Sequence, residues 1–259
     1  MSDLNAELTN LVEEAYQLFG DYRMGDRLAI WSYYFESYPD EAKRILSMAP
    51  RDMPRDLAHE WLSEGVEEDD ELLVIQQMKC LMPCVLKHMV QGDYLSMRVL
   101  NAYIFNKCHC KNPSWKAEEI DFFQRYALIY FEFQLVTQRD IKQGDIWNME
   151  DLLVVFHVAG LDIMPLLIKW LDCIEVYRPQ ALIELMELIL FIEGDVFVDE
   201  QMDEVTNQQI TEWLNRDETQ QIIYDAILNQ TEDYIVAGHD ISVLDRVVDW
   251  LKIWKKEHA

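Results

Sequence analysis

Apolar residues recur at helical spacing along almost the whole chain. The first segment shows the i, i+3, i+4, i+7 pattern of an amphipathic helix, formed by Leu4, Leu8, Leu11, Val12, Ala15, Leu18 and Phe19. The same spacing predicts helices at about residues 26–37, 40–48, 54–64, 69–90, 94–107 and 115–138. Residues that favour helix starts predict further helices at Asn148, Asp162, Pro179, Asp217 and Asp240. The pattern therefore predicts an all-α protein of about a dozen helices.

Few turn-forming residues interrupt this pattern. The chain of 259 residues contains only 8 Gly and 7 Pro, whereas an all-β fold needs many turn residues. Short connections between the predicted helices favour antiparallel packing of consecutive helices. Because no long linker or low-complexity segment occurs, the sequence predicts one all-α domain over residues 1–259, with any subdivision near residues 140–147.

A tryptophan followed by leucine recurs late in several predicted amphipathic segments. The pairs begin at Trp61, Trp170, Trp213 and Trp250, and the last three are 43 and 37 residues apart. Such spacing is typical of two-helix units in a HEAT-like solenoid, but it also arises by coincidence in a chain with 8 Trp. The sequence leaves both an irregular antiparallel bundle and a loose helical-repeat stack open.

The chain is strongly acidic, with 22 Lys and Arg against 48 Asp and Glu and a formal net charge of −26. This charge repels nucleic acids and anionic membranes and attracts basic proteins. The N-terminal residues lack the basic and apolar regions of a signal peptide, and no apolar stretch reaches about 20 residues. Because the five cysteines are also an odd number, we expect a cytoplasmic protein with reduced thiols and no membrane partner.

The negative charge is unevenly distributed. Residues 1–78 carry a net charge of −12, residues 79–144 carry +3, residues 145–249 carry −19, and the last ten carry +2. The densest region, residues 193–249, has fifteen acids against only Arg216 and Arg246. Like charges at helical spacing repel each other by a few tenths of a kcal/mol per pair, so mixed signs are usual on a solvated helix.

This acidic region is the predicted partner-binding site. Its carboxylates would pair with Lys or Arg side chains of a basic partner, although acidity that serves only solubility is the alternative interpretation. The predicted contact residues are Asp199, Glu200, Asp203, Glu204, Glu212, Asp217, Glu218, Asp225, Glu232 and Asp233. Trp213 is a candidate anchor among them, with burial in the core as its commoner role.

No catalytic motif is found, so we predict neither an enzyme nor a cofactor. Cys80, Cys84 and His88 share one helical face, and Cys108 to Cys110 contains a second Cys and His group, which are residue types that bind zinc. Their apolar flanks favour buried structural cysteines instead, and no metal site is predicted. The acidic run at residues 67–71 fits the start of a helix, where negative charge complements the dipole.

In size, acidity, helicity and expected compartment, the whole chain resembles the immunity proteins of bacterial contact-dependent inhibition and related polymorphic toxin systems. The resemblance is one of general character, with no diagnostic motif and therefore no transferred site residues. It implies a protein that binds and neutralises a nuclease toxin. The alternatives are a helical-repeat scaffold or adaptor that binds peptides or proteins, and a helical enzyme or zinc protein.

Overall fold

The computed structural model shows an all-α protein, as the sequence predicts. It describes residues 2–66, 70–92, 105–136, 149–176, 179–191, 201–236 and 246–249. The α-helices in these residues are α1 Ser2–Leu18, α2 Tyr33–Ser37, α3 Pro39–Ser47, α4 Arg55–Ser63, α5 Glu71–Val90, α6 Ala117–Val136, α7 Met149–Val158, α8 Met164–Glu175, α9 Pro179–Phe191, α10 Glu204–Leu214 and α11 Asp217–Val236. The described residues also contain a 3-10 helix, Pro50–Asp52, and two short strands, β1 Ile30–Trp31 and β2 Gly65–Val66.

The chain divides into two compact units. The N-terminal unit contains the described residues up to Tyr130 together with residues 155–162. The C-terminal unit contains residues 131–136, residues 149–154 and the described residues from Ile163 onward. The segment at 140–147, where a subdivision was predicted, lies outside the described residues.

A buried glutamine organises the N-terminal unit around α5. The Gln77 side chain accepts hydrogen bonds from the Ala29 amide at 3.0 Å and from the Trp61 indole at 2.9 Å. Its amide nitrogen donates to the carbonyls of Met24 and Arg27, both at 2.6 Å. All four contacts satisfy a side chain that is 0 % exposed, which is the condition for burying a polar group without a large penalty.

The prediction of one helix over residues 26–37 is wrong in its first part. Ile30 and Trp31 pair in antiparallel register with Val66 and Gly65, and only Tyr33–Ser37 is helical. The Arg27 carbonyl, which the first turn of that helix would use, accepts a hydrogen bond from Gln77 instead, as does the Met24 carbonyl just before it. Tertiary hydrogen bonding therefore overrides the local apolar pattern.

One predicted helix start is wrong in detail. The N-cap of α8 is Ile163 rather than Asp162, and it makes no side-chain capping bond. Helix α11 begins at Asp217, as predicted. The predicted end of the helix at 94–107 is a turn over residues 105–108.

Candidate protein-binding surface

Helix α10 presents its carboxylates on the face opposite the core. Asp203 caps the helix by accepting a hydrogen bond from the Thr206 amide at 2.8 Å. The buried side chains of this helix are Thr206, Ile210, Trp213 and Leu214. Glu204 and Glu212 are exposed at the two ends, and the Gln208 amide donates to Glu212 at 2.8 Å.

Helix α11 repeats this arrangement after a short turn. Asp217, Glu218 and Asp225 are exposed, whereas Ile223 and Ala226 are buried against the rest of the unit. The Gln221 amide donates to Asp225 at 2.8 Å, four residues further along the helix. Both helices thus turn carboxylates to solvent, and we call Glu204, Glu212, Asp217, Glu218 and Asp225 the α10–α11 acidic surface.

These carboxylates have no cationic partner within the described residues. None of the five residues of the α10–α11 acidic surface forms an ion pair there. Arg216 and Arg246, the two bases of the region, are exposed and form no ion pair with a described residue either. The ion pair that is present in the described part of the C-terminal unit joins Lys169 to Glu132 at 3.2 Å.

Three described cations of the basic segment 79–144, namely Lys79, Lys107 and Arg125, are engaged within the N-terminal unit. Arg125 pairs with Glu14 at 2.5 Å, and Lys79 pairs with Glu119 at 2.7 Å. The Lys107 ammonium is buried and donates to two backbone carbonyls. These contacts give the basic segment a structural role in its own unit.

The remaining predicted contact residues are only partly described. Asp199 and Glu200 lie outside the described residues. Glu232 and Asp233 lie within the backbone of α11, and their side chains are not described. Trp213 belongs to the core, as the commoner role of tryptophan suggested, because only 1 % of it is exposed and its ring lies 6.4 Å from that of Trp170.

The structure adds one carboxylate that the sequence analysis missed. Glu175, the last residue of α8, lines a shallow cleft together with Asp225 of α11 and the apolar side chains Ile174, Ile222 and Ala226. The cleft brings carboxylates from two helices to one place. The sequence did contain an indication of Glu175. This acid ends a helix that has no base in its last turn, so its charge opposes the helix dipole.

The acids of this surface form two groups, according to whether their charge stabilises or opposes the dipole of their helix. Glu204, Asp217 and Glu218 lie in first turns, where negative charge stabilises a helix. Glu175 and Glu212 lie in last turns, where a carboxylate costs about 0.3–1 kcal/mol at an exposed position. Helix stability therefore explains the first group, whereas in the second Glu212 gains only a local hydrogen bond from Gln208 and Glu175 has none among the described residues.

The cysteines are buried in apolar surroundings. All five are free thiols, and the Cys84 sulfur lies 3.5 Å from the Met53 carbonyl oxygen. Burial raises the pKa of Cys80 to about 11 and that of Cys84 to about 12, and it raises the pKa of Cys108 well above its ordinary value. Within the described residues, no three His, Cys, Asp or Glu side chains form a group able to hold a metal ion.

Because burial raises the pKa values of these thiols, we expect the protein to lose stability at alkaline pH. Above about pH 8.5 they ionise in the unfolded chain but stay protonated in the folded one, so the unfolded state binds fewer protons. The free energy of unfolding then falls, with a slope that approaches about 1.4 kcal/mol per pH unit for each thiol. Urea denaturation at pH 8, 9 and 9.5 measures how the free energy of unfolding changes with pH. The Cys84→Ala variant lacks one buried thiol, so its slope should be smaller by the contribution of that thiol.

Comparing the pH slope of the original chain with that of Cys84→Ala separates the effect of the Cys84 thiol from the effects of other titrating groups. Burial lowers the pKa of Lys107 to about 8, which adds stability as the pH rises through the same range. This contribution is present in both proteins and cancels in their difference. Equal slopes for the original chain and Cys84→Ala would contradict the assignment of the alkaline effect to buried thiols.

Comparison with protein-family models, with curated proteins and with solved structures finds no match for this chain. In the described parts of the chain, no helix combines the length and apolar character needed to cross a membrane.

Proposed function

We propose that this chain binds and neutralises a basic protein partner through the α10–α11 acidic surface together with Glu175. The observation that supports this proposal is the set of exposed carboxylates without cationic partners among the described residues. Two of them, Glu175 and Glu212, stay at helix ends where they reduce stability. A binding role gives a reason for acids that folding does not need, and catalysis has no part in it.

The partner that fits this surface best is a nuclease toxin, which makes the chain an immunity protein. The substrate cleft of a nuclease has to be positively charged because it binds phosphates. Carboxylates held on rigid helices can occupy such a cleft and exclude the nucleic acid. Association driven by opposite charges is fast and weakens as salt is added.

Neutralising three acids of the proposed surface is expected to weaken binding, and at the two that oppose helix dipoles it should also raise stability. The triple variant carries Glu175→Gln, Glu212→Gln and Asp225→Asn. Charged contacts at an interface rim contribute about 0.2–1 kcal/mol each, so the dissociation constant should rise on the order of tenfold. Relief of the dipole should add about 0.3–1 kcal/mol to the free energy of unfolding at each helix end.

The partner for this measurement is to be sought among secreted proteins with a basic C-terminal domain that neighbouring genes encode. Calorimetric titration of its basic C-terminal domain at low and moderate salt gives the affinity and its salt dependence. The matched control removes three exposed acids of the N-terminal unit, with Asp3→Asn, Glu7→Gln and Asp21→Asn. If both triple variants bind as the original chain does, or the original chain binds no basic neighbour, the proposal is wrong.

A further inference from the structure

The N-terminal unit exposes three large aromatic side chains beside its two-stranded sheet. Tyr33 is 73 % exposed, and Trp31 and Tyr38 are each 57 % exposed. Aromatic side chains at such exposure are favoured anchors of protein interfaces. We call Trp31, Tyr33 and Tyr38 the aromatic patch, and it belongs to neither the core nor the α10–α11 acidic surface.

Local structure keeps these rings in solvent. Trp31 lies in β1 opposite Gly65, which has no side chain to cover the indole and has open space beside it. Ser32 is buried between the two exposed residues and caps α2 by accepting a hydrogen bond from the Phe35 amide at 3.3 Å. The cap fixes the backbone from which both Trp31 and Tyr33 project.

Two carboxyl groups lie directly beside this segment. The Ser32 hydroxyl donates to Glu64 at 3.1 Å, and the Glu60 carboxyl lies close enough to Glu64 for the two charges to interact. Burial and then the Glu64 carboxylate raise the pKa of Glu60, as expected for two acids that share a site. Neither acid forms an ion pair within the described residues. The nearby Lys107 ammonium donates to the carbonyls of Trp61 and Leu62 instead.

Carboxyl groups also lie near Tyr34, whose ring is 4.9 Å from that of Tyr38. Burial and then the carboxylates of Glu41 and Glu60 raise the pKa of Tyr34. Glu41 has a partner in Arg44 at 3.2 Å, and Glu64 interacts with the charge of the buried Lys107, whereas Glu60 has no ion-pair partner among the described residues. Exposed aromatic faces near such carboxyl groups suit a cation that is also planar.

We propose that the aromatic patch, with Glu60 and Glu64, binds an arginine-containing segment of a protein partner. The guanidinium group stacks on aromatic faces and pairs with carboxylates through a planar fork of donors, which the compact lysine ammonium does not match. A purely apolar partner would cover the two acids without a compensating cation, at a cost in free energy. A second copy would add repulsion, because each chain carries a formal charge of −26.

This inference does not rest on the proposed function of α10 and α11, since the residues lie in the other unit. The two surfaces therefore fail or succeed in separate experiments. If both hold, the chain has an anchoring surface for arginine in addition to a carboxylate surface for a positive cleft.

The test is the titration of a dye-labelled peptide, acetyl-GRGRGRG-amide, with the full chain by fluorescence anisotropy at moderate salt. The lysine peptide acetyl-GKGKGKG-amide has the same length and charge. We expect tighter binding of the arginine peptide, a loss on the order of two- to fivefold in Trp31→Ala or Tyr33→Ala, and on the order of tenfold in the double variant. Glu60→Gln should also weaken binding, whereas the exposed Ile168→Ala of the C-terminal unit should leave it unchanged.

Each other outcome overturns the inference. Equal binding of the two peptides, or binding that ignores the patch variants and falls only with salt, would show non-specific attraction to an acidic protein. Loss of peptide binding in the Glu175, Glu212 and Asp225 triple variant alone would move the contact to the other unit. Self-association that Trp31→Ala abolishes in sedimentation velocity would assign the patch to a second copy. Unchanged thermal unfolding of each variant confirms that its fold is intact.

Discussion

Replacing Lys79 by methionine is expected to lower the free energy of unfolding by about 3–5 kcal/mol, the usual cost of breaking a buried ion pair. Lys79 is 2 % exposed and Glu119 is 0 % exposed, so the variant leaves a carboxylate in the interior without its cation. The ammonium donates to Glu119 at 2.7 Å and to the Ser114 carbonyl at 2.8 Å. It also lies 4.5 Å from the centre of the Trp115 ring, where it gains a cation–π contact.

Urea denaturation of Lys79→Met, Glu119→Leu and the double variant separates the pair from its surroundings. The double variant should be more stable than the Lys79→Met single variant, because it buries no unpaired charge. The Tyr22 hydroxyl, which donates to Glu119 at 2.5 Å, loses its acceptor in both variants that lack the acid. Equal losses in all three variants would contradict a role for charge pairing.

Acid titration gives an independent check of the same pair. Burial opposes ionisation of Glu119, but the hydrogen bonds from Lys79 and Tyr22 prevail and lower its pKa. A carboxyl group whose pKa is lower in the folded state contributes stability above its unfolded pKa and loses it as the pH falls through the folded value. The Lys79→Met variant should therefore lose less stability than the original chain on acidification.

Replacing Trp170 by alanine is expected to cost about 3–5 kcal/mol in the C-terminal unit. The indole is 0 % exposed, and its ring lies 5.7 Å from Phe131 and 6.4 Å from Trp213. Its nitrogen donates to the Ala181 carbonyl at 2.8 Å. The substitution removes two ring contacts and a hydrogen bond and leaves a large cavity. Thermal and urea denaturation followed by circular dichroism measure the loss.

Phenylalanine at the same position gives a matched comparison with Trp213. Trp170→Phe loses the hydrogen bond to the Ala181 carbonyl, whereas the Trp213 indole nitrogen has no hydrogen-bond partner within the described residues. A hydrogen bond contributes about 0.5–1.5 kcal/mol, so Trp170→Phe should destabilise more than Trp213→Phe. The opposite order would show that volume, rather than hydrogen bonding, decides the difference.

Elements with a strong periodic pattern could be predicted from the sequence. The limits predicted for α1, α3, α4 and α5 lie within about two residues of the observed ones, and Pro179 begins α9 as expected. Gly92, which follows the end of α5, has a positive φ of 70°, which glycine adopts without strain. In these elements, local spacing and helix-end chemistry agree with the packing.

Prediction failed where distant residues compete for the same backbone groups. Nothing near residues 24–29 indicates that their carbonyls and amide bind Gln77, nearly fifty residues further along the chain. Likewise, Glu175 and Asp225 are separated by the whole of α9 and α10, and only packing brings them to one cleft. The sequence showed that the region from 193 to 249 is acidic but did not show which acids lie together.

The sequence by itself determined the helical class and the acidic character of the C-terminal region, because apolar periodicity and charge are properties of the chain before it folds. Only the tertiary structure decided that two cations of the basic segment pair within the N-terminal unit, Arg125 with Glu14 and Lys79 with Glu119. It also decided that Trp31 and Tyr33 are exposed while Trp170 and Trp213 are buried. Ion pairing and burial depend on which residues come into contact in the folded chain, and helical periodicity alone does not specify those contacts.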